Sequence, residues 1–251
     1  MDVKYNSAKP LGHKSYGSIP HLPGSRLGTG DHHCHLGQAK IATEKARDKH
    51  DRIIIQEKLD GSNVGVAKIN GEIVALTRSG YVANTSPYMQ HHYFSQWVER
   101  NKSRFNEVLV EGERICGEWL AQAHGTRYRL PHEPFVAFDI ITGKQRVIYD
   151  EFSQRASKEE FVVPRIIGTD PMPVEWVLEK IGYGESMWQN YHGAIDGIEG
   201  AIWRVERKGI VDFLTKYVCH SKEDGKYLPE KNGTCQPIWN IDINQFDSVS
   251  L

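Results

Sequence analysis

A hairpin signal in the first third of the chain constrains the fold most. Residues 63–69 (NVGVAKI) and 72–78 (EIVALTR) are two strand-like runs, and only Asn70 and Gly71 separate them. An Asn-Gly pair between such runs is the strongest short-range signal for a two-residue β-hairpin turn. Because hairpins join antiparallel strands, the sequence disfavours a doubly wound parallel sheet.

Further strands and helices follow from apolar spacing and turn residues. Predicted strands lie at 52–58, 114–120, 135–141 and 161–167, with a second hairpin at 199–207 and 210–218. Predicted helices lie at 38–51, at 86–105 with Ser86 as cap and Pro87 in the first turn, and at 150–160, 173–181 and 185–193. This order predicts an α+β fold of mainly antiparallel sheets with flanking helices.

The chain has no internal repeat and no linker between two halves. A length of 251 residues suits one large domain. We expect a single domain that consists of an irregular N-terminal extension (1–52), a patterned core (53–218) and a C-terminal tail (219–251) lying across the body.

Composition excludes several classes of protein. A formal charge of −1 does not indicate a polyanion partner, although a local basic patch would still suffice for one. Four cysteines without CxxC spacing predict reduced thiols. The N-terminus lacks the apolar segment of a signal peptide, and no apolar run is long enough for a membrane helix. We therefore expect a cytoplasmic protein without membrane contacts.

The cluster Asp31-His32-His33-Cys34-His35 suggests a metal site at first sight. Imidazole and thiolate are zinc ligands, but adjacent residues do not easily converge on one tetrahedral ion. A polar loop with incidental histidines is the favoured interpretation.

Lys58 stands at the end of a predicted strand, just before a turn. A lysine attacks phosphorus or carbonyl carbon only as the free amine, whereas its reference pKa is about 10.4. Burial, or a positive field from Arg78 or Lys216, would make it more acidic. The alternative is an ordinary solvated charge at a strand end.

Two carboxylates also stand at strand ends. Glu118 closes the run RICGEW, and Glu199 precedes the run GAIW. Carboxylates so placed are natural ligands of magnesium, which takes few protein ligands and keeps several waters. One lysine, two carboxylates and more distant basic residues are suited to binding a nucleoside triphosphate.

Six segments in order resemble the motifs of the covalent nucleotidyltransferases, the superfamily of RNA ligases, DNA ligases and mRNA capping enzymes. They are KLDG (58–61), TRSG (77–80), CGEW (116–119), FVAFDI (135–140), EGAI (199–202) and FLTKY (213–217). A single K-x-D-G is weak evidence, but six elements in order on strands or strand ends are strong. The resemblance covers about residues 53–218 and implies a ligase-type nucleotidyltransferase domain.

The resemblance also implies a mechanism and a set of roles. Lys58 would attack the α-phosphorus of ATP and carry AMP, which then passes to a 5′-phosphate end that a 3′-hydroxyl attacks. Mg²⁺ or Mn²⁺ would be held by Glu199, with Asp196 and Glu118 in reserve. Nucleotide contacts would come from Glu57 at the adenine edge, Asp60, Gly61, Asn63, Arg78, Glu118, Phe138 and Lys216. Taken alone, Phe138 is equally a core aromatic and Glu118 a solvated strand end.

Two departures from the family pattern stand out. Many relatives have two lysines one residue apart in the last motif, but Leu214 occupies the first of these positions and leaves Lys216 as the sole match. The second cation would come from elsewhere, with Arg204, Lys222 and Lys226 as candidates. Asp196-Gly197 is also a second acidic-glycine step beside Glu199-Gly200, which leaves the register of the fourth motif open.

Asn63 favours one branch of the superfamily. DNA ligases and capping enzymes usually have arginine at this position, and asparagine resembles RNA-repair ligases. Only 35 residues follow Lys216, too few for an OB-fold domain of usual size. The sequence thus resembles an ATP-dependent RNA ligase acting on RNA ends, with an end-healing kinase-phosphatase as an open partner. A DNA-joining ligase, a guanylyltransferase and a non-catalytic nucleotide-binding relative remain the alternatives.

Overall fold

The fold is built from antiparallel strands. The computed structural model describes residues 9–181, 191–234 and 236–247. In chain order the strands are β1 (Asp51–Lys58), β2 (Ser62–Ile69), β3 (Glu72–Thr77), β4 (Glu113–Trp119), β5 (Phe135–Thr142), β6 (Gln145–Arg146), β7 (Ile166–Gly168), β8 (Gly200–Arg207) and β9 (Ile210–Val218). They form a four-stranded sheet in the order β7-β1-β8-β9 and a five-stranded sheet in the order β3-β2-β4-β5-β6.

Helices flank the two sheets. They are α1 (Leu36–Thr43), α2 (Met89–Arg100), α3 (Lys102–Val108), α4 (Tyr149–Lys158), α5 (Val174–Lys180), α6 (Pro229–Asn232) and α7 (Asn244–Asp247), with one 3-10 turn at Ala83–Thr85. The predicted α+β class with mainly antiparallel sheets is confirmed. None of the helices described is both long and apolar enough to cross a membrane.

Both predicted hairpins are present. Asn70 and Gly71 have positive φ angles of 52° and 77°, which a type I′ turn requires at its two central residues. Lys208 and Gly209 adopt the same backbone region, with φ of 50° and 79°. These turns pair β2 with β3 in register and β8 with β9 with one β-bulge between Val205 and Glu206.

Lys58 lies where the chain crosses from one sheet to the other. It is the last residue of β1 in the four-stranded sheet, and β2 of the five-stranded sheet begins at Ser62. Gly61 in the crossover permits this close passage, because a Cβ there would lie 2.6 Å from the carbonyl oxygen of Trp119. The KLDG turn therefore joins the two sheets.

Apolar clusters pack the outer faces of the sheets. The largest contains aromatic side chains of α2, α3, β4 and β5, including Phe94, Trp119 and Phe135. Phe246 and Trp239 of the C-terminal tail pack on the same cluster. A second cluster around Trp203 lies against α1 and α5. These two side chains attach the described part of the tail to that cluster.

Several predicted boundaries are wrong. The helix expected from Ser86 begins at Met89, although the Ser86 hydroxyl accepts a hydrogen bond from the Tyr88 amide as a capping serine would. It also ends at Arg100, and α3 follows as a separate helix. The strand expected at 161–167 is reduced to Ile166–Gly168, since Pro164 lacks the amide that a ladder needs.

Two further helices differ from expectation in extent or lie outside the description. The helix expected at 38–51 is the shorter α1 at Leu36–Thr43, and residues from Asp51 onwards belong to β1. The helix expected at 185–193 falls mostly outside the described residues.

Candidate active site

A cavity of about 640 Å³ lies between the two sheets. Lys58 on β1 lies opposite Gly200 on β8, and Ile202 lies opposite Lys216 on β9. Side chains two residues apart share a face of a sheet, so both lysines reach the cavity. The predicted site residues that line it are Glu57, Lys58, Asp60, Gly61, Asn63, Arg78, Glu118, Phe138, Glu199 and Lys216.

Lys58 is in close contact with the carboxylate of Glu199. Burial lowers the pKa of Lys58, but the negative charges of Glu199, Glu118 and Asp60 outweigh burial and raise it above the ordinary lysine value. The expectation that its surroundings make Lys58 more acidic is therefore wrong for this arrangement. The side chain is held here as an ammonium ion.

Buried carboxylates surround this lysine. Burial raises the pKa of Glu118 to about 7, although Lys58 and the Gly61 amide oppose the rise. Glu118 accepts a hydrogen bond from that amide at 3.1 Å. Burial also raises the pKa of Glu57 to about 7, with Arg165 opposing. The cavity therefore holds carboxyl groups that change charge near neutral pH.

Asp60 fixes the crossover turn rather than pointing freely into the cavity. Its carboxylate accepts a hydrogen bond from the Gly125 amide at 2.9 Å, and its own amide donates to the hydroxyl of Tyr128 at 3.0 Å. These bonds attach the KLDG turn to the loop after β4. Asp60 thereby determines where Lys58 lies.

Several buried polar atoms of the cavity lining have no hydrogen-bond partner within the described part of the chain. Those on β1 and β2 are Asn63 Oδ1, Glu57 Oε2 and Gln56 Nε2. Buried polar groups are normally paired, so unpaired ones in a cavity indicate the place of a polar ligand. Gln56 lies on the same face of β1 as Lys58. It was not predicted as a site residue, because the only signal for it is its spacing of two residues from Lys58.

Phe138 reaches the cavity through a β-bulge. Cys116 lies opposite Asp139 and Gly117 lies opposite Ala137, so Phe138 is the extra residue on β5. Its half-buried ring meets the ring of Tyr16 edge to face at 5.1 Å. Phe138 is therefore not a fully buried core aromatic, and one part of its ring is available to the cavity.

Arg78 and Asp196 occupy different environments. Arg78 follows the end of β3 and is exposed at the cavity rim, where it donates to the Ser18 hydroxyl at 3.3 Å. Asp196, the reserve metal candidate, does not line the cavity. Its carboxylate binds the Arg127 guanidinium at 2.9 Å and accepts a hydrogen bond from the Tyr227 hydroxyl. The positions of the two carboxylates thus favour Glu199 over Asp196 as the candidate metal ligand.

The three candidates for a second cation are engaged elsewhere. Arg204 is buried and bonded to Asp139 and Glu206. Lys222 donates to the carbonyl oxygens of 196 and 197, and Lys226 lies over the ring of Tyr227 outside the cavity lining. Arg204 also lines the cavity, but all three side chains already have partners within the described part of the chain.

Residues 15–31, here termed the N-terminal strap, close one side of the cavity. The strap contributes Tyr16, His21, Arg26 and Asp31 to the lining. Arg26 binds Asp224 at 2.7 Å through Nη2, while its buried Nε has no partner among the described residues. Sequence reasoning missed these residues because the strap has no periodic pattern.

The histidine and cysteine residues at 32–34, which follow the strap in sequence, contact the strap rather than one another. Cys34 is buried in the apolar cluster with Leu22 and Ala39. The backbone of His32 accepts a hydrogen bond from the His21 amide at 2.8 Å. Within residues 9–181, 191–234 and 236–247 no group of three or more His, Cys, Asp or Glu side chains is arranged to hold a metal ion by itself.

Comparisons with known proteins agree with this geometry. A family model described as RNA ligase matches residues 51–218. A curated relative, an uncharacterized protein of Methanocaldococcus jannaschii, is 56% identical over 32 residues, which are 13% of this chain and 8% of that protein.

Solved structures show a related fold. The Naegleria gruberi RNA ligase with PPi is 16% identical, with a TM-score of 0.54, over 93% of this chain and 64% of that one. A variant of the same ligase with ATP and Mn is 14% identical, with a TM-score of 0.54, over 86% of this chain and 61% of that one. The chain therefore spans less than two thirds of these relatives.

Proposed function

Because the chain belongs to the RNA ligase family, we propose that it is an ATP-dependent RNA ligase that works through a lysyl-AMP intermediate. One observation carries this proposal. Lys58 and Lys216 of the four-stranded sheet line one cavity together with Glu199 and with Glu118 of the five-stranded sheet, and the proposed nucleophile lies on the turn that joins the sheets. This arrangement can bind a triphosphate and attack it.

The first step forms a phosphoramide. Lys58 loses a proton, for which the contacting Glu199 carboxylate is the nearest acceptor. The free amine then attacks the α-phosphorus of ATP, a P–N bond forms, and the bond to the β-phosphate oxygen breaks with its electron pair leaving on pyrophosphate. The nitrogen releases a second proton to water, which leaves the neutral phosphoramide. Attack requires the Lys58–Glu199 contact to open, since the ammonium has no lone pair.

Two further displacements complete the reaction. An oxygen of a 5′-phosphate attacks the phosphorus of lysyl-AMP, the P–N bond breaks, and Lys58 takes up a proton. A 3′-hydroxyl oxygen then attacks the 5′-phosphorus, its proton passes to a base or to water, and AMP leaves. In-line displacements of this kind depend mainly on positioning and charge stabilisation.

The remaining residues hold the substrate. Phe138 offers an aromatic face to the adenine, and the unpaired atoms of Gln56, Glu57 and Asn63 offer polar contacts to the nucleoside. Lys216 binds the α-phosphate. Arg78 at the rim binds the 5′-phosphate end, which must approach from outside.

Glu199 fits a magnesium or manganese ion that binds together with the phosphates, with Glu118 as a second ligand. Magnesium sites of this kind use one or two carboxylates and complete their shell with phosphate and water, so the absence of a preformed cage in the described residues is compatible with one. The bound ion would neutralise charge developing on the phosphate oxygens. A structural relative in complex with ATP and Mn supports this assignment.

Glu199→Gln is expected to reduce formation of lysyl-AMP by about 100-fold, as for loss of one preorganised charge at a reacting centre. The variant removes both the metal ligand and the proton acceptor of Lys58. Single-turnover labelling with radioactive ATP measures the effect, and Glu160→Gln on the outer surface is the matched control. A rate equal to that of the wild type would exclude Glu199 from the reaction.

Arg26→Ala is expected to raise the KM for ATP about 10-fold, because Arg26 is the cation that replaces the lysine missing at Leu214. A hydrogen bond to a charged group contributes roughly 1.5–3 kcal/mol. Labelling rates over a range of ATP concentrations measure it, with exposed Lys226→Ala as the control. Equal KM values for both variants would assign the second cation elsewhere.

A sealing assay with a panel of 5′-phosphorylated substrates tests the proposed function. Nicked duplexes with RNA or DNA on the 3′-hydroxyl side, broken loops and free single strands are compared with ATP or GTP. Joining of RNA ends with ATP is the expected result. Exclusive transfer of GMP would indicate a guanylyltransferase, and nucleotide binding without any covalent adduct would indicate a non-catalytic relative.

We further propose one nucleotidyltransferase domain in which the strap and the tail complete the core at 53–218. Broken RNA with other end chemistry would first need a kinase-phosphatase to supply the 5′-phosphate and 3′-hydroxyl. Both partners would then act on RNA in the cytoplasm.

A further inference from the structure

The N-terminal strap holds Lys216 through its backbone. The Lys216 amide donates to the carbonyl oxygen of Pro20 at 3.0 Å, and the Lys216 carbonyl accepts from the Leu22 amide at 2.8 Å. The Arg26 amide donates to the Val218 carbonyl at 3.1 Å. The strap thus pairs with the outer edge of β9 where its lysine points into the cavity.

A series of side-chain contacts within the strap ends at Lys216. His21 is buried, with Nδ1 2.6 Å from the Ser25 hydroxyl and Nε2 3.0 Å from Asp31 Oδ2. The Gly28 amide donates to the same carboxylate oxygen at 3.0 Å. The other oxygen, Oδ1, lies 3.7 Å from Lys216 Nζ. Asp31 is therefore fixed on one side and faces the ammonium on the other.

The negative charge of Asp31 interacts with the charged Lys216 and not with His21, whose ring is neutral. Burial and the charge of Lys216 lower the pKa of His21 to about 4, so the ring is neutral at working pH. Burial raises the pKa of Asp31, but the Gly28 amide and Lys216 outweigh it and lower the pKa below its usual value. The result is a carboxylate beside Lys216.

The reaction needs two neighbouring lysines in opposite states. Lys58 must lose its proton, whereas Lys216 must keep its own to bind phosphate and to favour that loss. Burial and the charge of Lys58 lower the pKa of Lys216. The charged or titratable groups facing Lys216 are Asp31 and His21 of the strap, Lys58 of β1, Glu199 before β8 and Arg78 after β3.

We propose that Asp31, oriented by the Gly28 amide and in contact with His21, is a positioning residue that keeps Lys216 charged and directed at the phosphates; the inference rests on the proposed ATP-dependent reaction. Glu199 is already in contact with Lys58, so Asp31 is the carboxylate dedicated to Lys216. At 3.7 Å the ammonium retains hydrogens for phosphate oxygens.

Asp31→Asn tests the proposal through the pH dependence of lysyl-AMP formation in the full chain. Loss of the carboxylate lowers the pKa of Lys216, so its charge disappears at lower pH. The alkaline limb is the part of the pH profile in which the single-turnover rate falls as Lys216 loses its charge. In the variant this limb is expected to lie about one pH unit lower, the usual effect of one neighbouring charge. The ratio of wild-type to variant rate then rises about tenfold across the limb.

Two measurements separate this effect from a general loss of structure. NMR titration of labelled lysine side chains, with Lys216 assigned through Lys216→Arg, should show the same downward shift in Asp31→Asn. In Lys216→Arg the alkaline limb should disappear because arginine stays charged, and adding Asp31→Asn to that variant should leave its pH profile unchanged. Asp212→Asn, which removes a carboxylate of β9 that contacts Arg47, is the matched control and should leave the limb in place.

Overlapping profiles and an unchanged lysine titration for Asp31→Asn would overturn the proposal while leaving the proposed function intact. A wild-type protein that forms no lysyl-AMP would overturn the proposed function instead, and with it the role of Asp31. A shift of equal size in Asp212→Asn would also overturn the proposal, since it would reflect net charge only.

Discussion

Replacement of Lys58 by alanine is expected to abolish the covalent AMP adduct, a loss of at least about 1,000-fold. Among the residues that the structure describes, Lys58 is the lysine whose amine contacts Glu199 and faces Glu118, so we expect no other lysine to take its place. Incubation with ATP and Mg²⁺, followed by mass spectrometry of the intact protein, measures the gain of one AMP.

Lys58→Arg serves as the matched control for charge. Arginine retains the positive charge next to Glu199 but is not deprotonated in proteins, so it cannot attack phosphorus. Both variants should still bind ATP, which equilibrium dialysis measures. An AMP adduct on Lys58→Ala would show that the nucleophile lies elsewhere and would refute the proposed mechanism.

Asp139→Ala is expected to lower the free energy of unfolding by about 3–5 kcal/mol, because it leaves buried arginine charge without its partner. Asp139 binds Arg204 Nη1 at 2.5 Å and Arg146 Nε at 3.0 Å, and it accepts a hydrogen bond from the Tyr16 hydroxyl at 2.6 Å. Asp139 and Arg204 each have only 1% of the side chain exposed. Urea unfolding followed by tryptophan fluorescence measures the change.

The matched control is Asp150→Ala, which breaks an exposed ion pair. Asp150 and Arg52 are 66% and 44% exposed, and such surface pairs contribute no more than about 1 kcal/mol. Loss of less than 1 kcal/mol in Asp139→Ala would show that Arg204 finds another partner or water. The Tyr16 contact further predicts that Asp139→Ala loosens the strap.

The strands that carry the site were predictable because their signals are local. Alternating apolar residues and two turns with positive φ define β2, β3, β8 and β9, and the motif residues stand at the ends of such runs. The helix start at Met89 was not predictable from Ser86 and Pro87, since the choice depends on where the Ser86 hydroxyl finds partners.

The strap and the charge state of Lys58 depend on distant parts of the chain. The strap is held by backbone bonds to β9, and such bonds require no particular side chains and leave no periodic signal. Lys58 is surrounded by carboxylates that come from three separate segments, so their combined field exists only after folding. Sequence reasoning therefore proposed Lys58 as the nucleophile but did not predict that it is protonated.

The pairing of the strap with β9 also protects the molecule from its own sheet. Without residues 20–26, β9 would present unpaired amides and carbonyls along an open edge, which is a template for pairing with another chain. A shortened protein that begins at the first family motif would lose Arg26 and Asp31. It would also expose the edge of β9, through which two copies could associate. Aggregation of such a fragment would then be a property of the exposed strand, and its inactivity would say nothing about the chemistry of Lys58.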